Sequence, residues 1–289
     1  MTIKVAFLGL GVMGAPMAGH LVQAGYRVIG YNRTDAKAQA WADRTGAAVA
    51  ATPAAAVAGA DLVFACVGAD ADVRAVCTGS DGAFSAMKAG AVFVDHTTTS
   101  AALAQEMAAA AEAAGLGFVD APVSGGQAGA EAGQLTVMCG GTEAAFGAAE
   151  QAMGAYGKMV RRLGPAGSGQ TAKMVNQVCI AGLLQGLAEA LQLCMAAGLE
   201  PEEVVSLISQ GAAQSWQMDN RAHTMTAGAF DFGFAVDWMR KDLGIVLDEA
   251  KRLGVSLPVT ALVDQFYADV QAMGGGRQDT SSLIRRFRG

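Results

Sequence analysis

The chain has 289 residues, of which 52% are hydrophobic and 16% are charged, and its formal net charge at pH 7 is −6. This length and composition exclude a disordered chain and predict two domains, each with its own core. The low, negative charge excludes a broad nucleic-acid-binding surface. The 5 cysteines are scattered, without the close pairs that metal or redox motifs need, and indicate a reducing cytoplasm.

From Ile3 to about Leu163, short β-branched runs alternate with alanine-rich segments of helical length. This alternation is typical of repeated βαβ units, and the nearly continuous apolar character of the runs favours a parallel sheet covered on both faces. The runs predict strands at 3–8, 27–31, 62–67, 92–95, 117–120 and 135–139, with a helix at 99–114.

A glycine-rich cluster at 164–169 marks the predicted boundary between a first domain, 1–163, and a second domain, 164–289. From Gln170 onward, apolar residues recur at steps of three and four with no convincing strand, which predicts an all-α domain with one long helix as its spine. Pro201 and Pro258 predict the first turns of later helices. The aromatic residues of this domain are predicted to be mainly core, although Phe234 or Trp216 could instead line a substrate cleft: Trp216, Phe230, Phe232, Phe234 and Trp238.

Two apolar segments resemble export or membrane signals. The run that ends at Ala18 is as apolar as a secretory signal, but its glycines stand where a nucleotide-binding turn requires them. The stretch 178–191 is interrupted by Gln185 and Glu189, so it is too short and too polar to predict a membrane span. We therefore expect a cytoplasmic protein that binds neither a membrane nor nucleic acid.

The motif Gly9-Leu-Gly-Val-Met-Gly14 follows the first predicted strand and precedes a helix. In a dinucleotide-binding turn, Gly9 permits the tight turn, Gly11 lets the backbone approach a pyrophosphate, and Gly14 lets helix and strand pack closely. Val12 and Met13 lie on the same turn and are predicted to line the cofactor. The alternative is a glycine-rich loop without a ligand, but the strand and helix on either side favour dinucleotide binding.

About twenty residues beyond that turn, an NAD site offers an acidic side chain to the ribose. This chain has Asn32-Arg33-Thr34 instead. Arg33 can pair with a 2′-phosphate, Asn32 and Thr34 can donate hydrogen bonds to it, and none of the three is a carboxylate that would repel it. NADP is favoured and NAD remains possible. In the alternative interpretation Arg33 is solvated and Thr34 or Asp35 only caps the next helix.

A second motif, Asp120-Ala-Pro-Val-Ser-Gly-Gly126, follows the predicted strand 117–120. Ligands of open α/β sheets bind at this carboxyl edge. The Ser124 hydroxyl and the backbone amides of Gly125 and Gly126 could hold a substrate carboxylate. A simple glycine-rich turn is an equally good interpretation of these residues alone.

A third motif, Gly167 to Gln177, opens the predicted long helix and contains Lys173 and Asn176 on one face. Most helical lysines point into water. Partial burial would lower the pKa of this ammonium group and would let it exchange a proton with a substrate oxygen. Its charge would stabilise a developing alkoxide, with Asn176 as an additional donor.

Together with Lys241-Asp242-Leu243, these motifs resemble the β-hydroxyacid dehydrogenases, a group in the 6-phosphogluconate dehydrogenase superfamily. The group includes 3-hydroxyisobutyrate dehydrogenase, tartronate semialdehyde reductase and the glyoxylate/succinic semialdehyde reductases. The resemblance covers the whole chain and implies a Rossmann domain joined by a long helix to an all-α domain, with the active site in the cleft between them. It also implies a homodimer or homotetramer.

The resemblance implies roles for individual residues. Ser124, Gly125 and Gly126 would bind substrate, Lys173 would be the catalytic acid and base with assistance from Asn176, and Lys241 would reach cofactor or substrate. Val67 and Phe234 are also expected at the cofactor.

The chain departs from the family pattern at His96-Thr97-Thr98, where a Ser-Thr pair is common. Thr97 is expected to serve both cofactor and substrate, and His96 is interpreted as a supporting residue because Lys173 already fills the acid/base role. Gln177 replaces a second asparagine. No histidine or cysteine has a partner at metal-ligand spacing, so no metal is expected.

These residues predict hydride transfer between NADP(H) and a small β-hydroxy acid or its semialdehyde, of the 3-hydroxyisobutyrate, tartronate semialdehyde or succinic semialdehyde type. One alternative is an imine reductase of the same architecture, although such enzymes usually lack the lysine. Another is a non-catalytic NADPH-binding protein. No motif selects the acid or the physiological direction.

Overall fold

A computed structural model describes residues 3–287 of the chain. The chain separates into two compact units, one that ends at Lys173 and one that begins at Met174. The division falls inside the long helix, because the first turn of that helix is hydrogen-bonded to the sheet of the first unit.

The first unit is an α/β layer structure. Its strands are β1 Lys4–Leu8, β2 Arg27–Tyr31, β3 Ala48–Val49, β4 Leu62–Ala65, β5 Val92–Asp95, β6 Gly117–Asp120, β7 Val123–Ser124, β8 Leu135–Gly141 and β9 Gly157–Gly164. Its helices are α1 Gly14–Gln23, α2 Asp35–Thr45, α3 Pro53–Val57, α4 Asp70–Thr78, α5 Ala101–Ala113, α6 Gly126–Glu131 and α7 Glu143–Met153, and α8 Ser168–Ala196 begins here.

The sheet has the order β3-β2-β1-β4-β5-β6-β8-β7, and β9 pairs with β8. From β3 to β6 neighbouring strands are parallel, whereas β8 runs antiparallel to β6. The strand order reverses between β1 and β4, which is where open α/β sheets bind ligands beyond the carboxyl ends of the strands. The predicted Rossmann arrangement is confirmed, with a mixed edge beyond β6.

The central strands of the sheet are buried on both faces. Val5 and Phe7 of β1 belong to the core on one face, and Ala6 and Leu8 belong to the core on the other. Strands covered on two sides need apolar residues at every position, which is why their sequence runs do not alternate.

All six predicted strands are present, but β3, β7 and β9 were not predicted. Two of them have only 2 residues each, too few for a periodicity to show. The third, β9, carries Lys158, Arg161 and Arg162, and none of its residues is buried. A charged strand of this kind has no apolar pattern and is recognised only by its pairing with β8.

The second unit is helical, as predicted. It contains the rest of α8, then α9 Pro201–Ile208, α10 Trp216–Ala227, α11 Val236–Leu253, α12 Pro258–Ala272 and a 3₁₀ helix, Thr280–Phe287. Pro201 and Pro258 occupy first turns. Leu184, Leu187 and Leu191 of α8 lie in the core of this unit. Among residues 174–287 the β pairing is limited to one bridge, between Ala235 and Asp279.

Two features of this unit differ from the sequence expectations. The helix that contains 178–191 has 29 residues and is long and apolar enough to cross a membrane, by length and composition alone. Core helices of soluble proteins meet the same criterion. Of the aromatic residues, Phe230 is buried, but Trp216 is 54% exposed, Trp238 40% and Phe232 38%. Helix ends and loops hold these rings at the surface, where the Arg221 guanidinium lies 4.8 Å from the centre of the Trp216 ring and 5.0 Å from that of Phe232.

Candidate active site

The loop between β1 and α1 has the shape of a dinucleotide-binding turn. Gly9 has a φ of +100°, and a Cβ there would overlap the Cys66 carbonyl. A Cβ at Gly14 would overlap the Gly9 carbonyl and lie 3.0 Å from the Phe7 ring. At Gly11, by contrast, a Cβ would meet no atom within 4 Å. Two glycines therefore shape the turn, and the third leaves open space in front of the backbone.

The N-terminus of α1 is suited to an anion. Met13 is the N-cap residue and makes no side-chain capping bond, and the first turn holds no acidic residue. The N-cap and the first turn therefore place no anionic side chain at the first N–H groups of the helix and the positive end of its dipole. A pyrophosphate fits the donor set of this loop, with Val12 next to the open space.

The Asn32 side chain shapes the same loop. Its Oδ1 accepts a hydrogen bond from the Leu10 N–H at 3.0 Å, and its Nδ2 donates to the Thr34 carbonyl at 3.0 Å. Thr34 stands at the N-cap of α2 without a side-chain capping bond. Asn32 thus holds the glycine turn against the end of β2, a role that the sequence did not predict.

Arg33 is exposed and bound to a carboxylate. Its side chain is 85% exposed, and its Nη1 lies 2.9 Å from Asp72 Oδ1. The sequence interpretation considered only the residues next to Arg33 and missed Asp72, which is distant along the chain. Exposed ion pairs of this kind contribute little, about 0–1 kcal/mol, so the guanidinium can exchange this partner for a more highly charged anion.

Thr97 and Val67, both predicted at the cofactor, are brought together by the fold. The Val67 N–H donates to Thr97 Oγ1 at 3.0 Å, and the Thr97 N–H donates to Asp95 Oδ1 at 2.9 Å. The first bond joins the loops that follow β4 and β5, and the second fixes the start of the loop after β5. Thr97 is buried, and its hydroxyl hydrogen is left to donate elsewhere.

His96 is a buried structural group. Its Nδ1 lies 2.6 Å from the Ala121 carbonyl and its Nε2 lies 2.7 Å from the Tyr156 hydroxyl, while the ring stacks on Phe64. A carbonyl only accepts, so Nδ1 donates to it and Nε2 accepts from Tyr156. Burial lowers the pKa of His96 to about 4, so the ring is neutral at physiological pH. This geometry favours the supporting role over an acid/base role.

The low pKa of His96 makes the fold sensitive to acid. The unfolded chain takes up the proton near pH 6.5, before the folded protein does, so the contribution is complete above pH 6.5 and is lost as the pH falls toward 4. We expect a loss on the order of 3 kcal/mol in the free energy of unfolding from this group. Urea denaturation of the wild type and of His96→Phe between pH 4.5 and 7.5 measures it. The difference between the two proteins should shrink as the pH falls, and parallel pH dependences would rule the assignment out.

The second and third sequence motifs meet at the start of α8. Both oxygens of the buried Asp120 carboxylate accept backbone N–H groups, from Gly167 at 2.8 Å and from Gln170 at 2.9 Å. Burial raises the pKa of Asp120, and these hydrogen bonds oppose the rise. Two motifs about fifty residues apart in sequence thus share one edge of the sheet, at the carboxyl end of β6.

The predicted substrate loop follows Asp120 directly. Ser124 ends β7, and Gly125 and Gly126 have positive φ values of +129° and +62°. No neighbouring atom lies within 4 Å of the position of a Cβ at Gly126. Lys173 lies on the part of α8 that belongs to this unit, and its side chain is buried, with an exposed fraction of 8%. Lysine is rarely buried, so the burial of Lys173 indicates a specific role for this side chain.

In the second unit, Asn176 and Lys241 belong to one polar network. Asn176 Nδ2 donates to Gln177 Oε1 at 2.8 Å, and Gln177 Nε2 donates to the buried Asp242 carboxylate at 2.6 Å. Lys241 Nζ lies 3.2 Å from the other Asp242 oxygen. Phe234 is half-buried against the core, and its N–H donates to Asp279 at 2.9 Å.

Sequence reasoning missed the roles of Gln170, Asp72 and Asp242. For Asp242 a signal was available, since it interrupts the apolar face of α11 between Met239 and Val246. Gln170 and Asp72 give no such signal, because their partners are distant in sequence. Among residues 3–287, no group of three His, Cys, Asp or Glu side chains could hold a metal ion.

Two family models together match nearly the whole chain. Residues 4–164 match the NAD binding domain of 6-phosphogluconate dehydrogenase, and residues 167–287 match the NAD-binding domain of NADP-dependent 3-hydroxyisobutyrate dehydrogenase. An uncharacterized oxidoreductase of Shewanella frigidimarina is 59% identical over 98% of each chain. The 2-(hydroxymethyl)glutarate dehydrogenase of Eubacterium barkeri is 37% identical over 98% of this chain and 94% of its own.

One solved structure is similar to this chain over its full length. Mycobacterium tuberculosis 3-hydroxyisobutyrate dehydrogenase, in a structure with L-serine, is 32% identical, covers 100% of both chains and has a TM-score of 0.90. The chain belongs to the β-hydroxyacid dehydrogenase family, and it is an NAD(P)-dependent oxidoreductase of the 3-hydroxyisobutyrate dehydrogenase type.

Proposed function

We propose that the protein transfers a hydride between NADP(H) and a small β-hydroxy acid or its semialdehyde, with Lys173 as the general acid and base. The observation that carries this proposal is the buried Lys173 side chain. It lies one helical turn beyond backbone groups that are bonded to Asp120, at the start of the substrate motif.

A nicotinamide cofactor held by the glycine turn after β1 and by Thr97 would supply the hydride for reduction of the substrate carbonyl carbon. Lys173 Nζ donates a proton to the carbonyl oxygen as its double bond to carbon is reduced, which yields the hydroxyl group and a neutral amine. In oxidation the amine takes the hydroxyl proton. The Thr97 hydroxyl, aligned by Val67 and Asp95, can donate a hydrogen bond at the same locus.

The proposed substrate class follows from a chemical group that is common to the compounds named with two relatives. 2-(Hydroxymethyl)glutarate and L-serine each carry a primary hydroxymethyl group on the carbon next to a carboxylate. We assign the same pattern to the substrate of this chain. Its carboxylate would be held by Ser124 and by the backbone amides of Gly125 and Gly126.

The preference for NADP rests on Arg33. A 2′-phosphate carries more charge than the Asp72 carboxylate and accepts more hydrogen bonds, so it can displace the carboxylate from the exposed guanidinium. Asn32 supports the proposed phosphate site indirectly, because its side chain holds the glycine turn after β1 in place.

The test is a panel of 2-hydroxymethyl acids and their semialdehydes, assayed with both cofactors on the wild type, Arg33→Ala and Asp72→Asn. We expect Arg33→Ala to lower the NADPH-over-NADH ratio of kcat/KM by about tenfold, the loss of one charge-assisted contact. Asp72→Asn should keep or raise that ratio. An unchanged ratio in Arg33→Ala would contradict the phosphate assignment, and turnover of cyclic imines without turnover of semialdehydes would contradict the substrate class.

A further inference from the structure

Gln170 is a fully buried amide on the first turn of α8, and both ends of its side chain reach a single loop. Its Nε2 donates to the Thr97 carbonyl at 2.7 Å, and its Oε1 accepts from the Thr99 N–H at 3.0 Å. These partners are separated from Gln170 by more than 70 positions in the chain. The loop after β5 is therefore joined to the helix by a two-point contact that only a carboxamide of this length can make.

The same helical turn is held from a second side by Asp120. Its two oxygens accept the N–H groups of Gly167 and Gln170, and the backbones are packed without free space. A Cβ at Gly169 would lie 2.6 Å from the Asp120 carbonyl oxygen, and a Cβ at Gly140 would lie 2.5 Å from Asp120 Oδ1. The helix start cannot shift relative to β6 and β8 without breaking these contacts.

We propose that Gln170 and Asp120 are positioning residues. They fix Lys173 relative to the loop after β5, which carries Thr97, and to the segment after β6, which carries Ser124. Lys173 follows Gln170 by three positions and so lies on the same side of α8. The lysine, the hydroxyl of Thr97 and the substrate loop are thereby attached to one rigid element. This inference rests on the acid/base role proposed for Lys173.

The arrangement goes beyond what helix stability requires. The N–H groups at a helix start can be satisfied by one local side chain such as Ser or Thr. Here the N–H groups of Gly167 and Gln170 are instead accepted by Asp120 at the end of β6, and the Gln170 side chain bonds the loop after β5. These partners come from the two segments that carry the proposed reactive groups. A displacement of about 1 Å at a reacting group can lower the rate about a hundredfold. Loss of these contacts is therefore expected to lower kcat.

The experiment compares kcat, KM and cofactor Kd in Gln170→Met and Gln170→Glu. The methionine has nearly the same length and makes neither hydrogen bond, so we expect kcat to fall about 10- to 100-fold. The Kd for NADPH should change by a smaller factor than kcat, because the glycine turn after β1, which is proposed to bind the pyrophosphate, is separate from the loop that carries Thr97. Gln170→Glu keeps the acceptor for the Thr99 N–H, but it places a carboxylate oxygen next to the Thr97 carbonyl oxygen, and neither of these two atoms can donate a hydrogen bond. When protonated it can donate to that carbonyl, and burial raises its pKa. Its kcat relative to wild type should therefore recover as the pH falls, with no such recovery in Gln170→Met.

A double variant distinguishes a positioning role from general stabilisation. If Gln170 acts through Lys173, adding Gln170→Met to Lys173→Ala should cause no further fall in the single-turnover rate. Wild-type kcat in Gln170→Met, or the same fold-decrease with and without Lys173, overturns the inference. If Gln170→Met does not fold, the pH-dependent recovery of Gln170→Glu decides. Normal turnover in Lys173→Ala alone would instead overturn the proposed function.

Discussion

Replacement of Lys173 by alanine is expected to lower kcat by about 100- to 10,000-fold, the range for loss of a positioned acid and base. The variant removes both the proton donor and the positive charge next to the developing alkoxide. The NADPH Kd should not change, since the proposed pyrophosphate and ribose contacts lie on the loops after β1 and β2. Steady-state kinetics and fluorescence titration with NADPH measure the two quantities.

Lys173→Arg is the matched control. Arginine retains the positive charge but does not release a proton in the accessible pH range. If Lys173 transfers a proton, the arginine variant should be nearly as inactive as the alanine variant. Substantial turnover in Lys173→Arg would limit the lysine to electrostatic stabilisation, and normal turnover in Lys173→Ala would remove it from the mechanism.

Alanine substitutions at two glycines of the β1–α1 turn are expected to have different effects. One should lower the stability of the fold, and the other should lower the affinity for the cofactor. Gly14→Ala places a Cβ against the Gly9 carbonyl and the Phe7 ring, so it should destabilise the protein by about 1–3 kcal/mol through overpacking. Gly11→Ala meets no protein atom within 4 Å. It should leave the free energy of unfolding within about 0.5 kcal/mol of wild type. Its methyl group would occupy the space proposed for the pyrophosphate, so NADPH affinity should fall by at least about tenfold.

Urea denaturation without cofactor and calorimetric titration with NADPH test this pair. The informative result is a stable Gly11→Ala protein that binds NADPH poorly. Wild-type affinity in that variant would mean that the cofactor does not approach the turn at Gly11. Wild-type stability in Gly14→Ala would mean that the helix and strand do not pack as closely as the structure shows.

Local sequence patterns predicted six strands of the first unit in their order and the helical character of the second unit, but not β3, β7 or β9. The apolar run of β1, the glycines at 9, 11 and 14, and the helix after them are local features with strict geometric requirements, so they identify the dinucleotide turn without a structure. The repeat of apolar residues along α8 likewise identified the helical unit and placed Lys173 and Asn176 on one face. Periodicity encodes such features because it reports which face of an element is buried.

Only the folded chain shows which partners the side chains of the site have. His96 could be interpreted as an acid or as a support until the fold placed it between Ala121 and Tyr156. Arg33 had no visible competitor until Asp72 lay beside it. Gln170 gave no signal, since its partners at 97 and 99 are brought to it only by the parallel register of β5 and β6. Hydrogen bonds between distant segments leave no periodic trace in the chain, because they depend on the register and packing of the whole sheet.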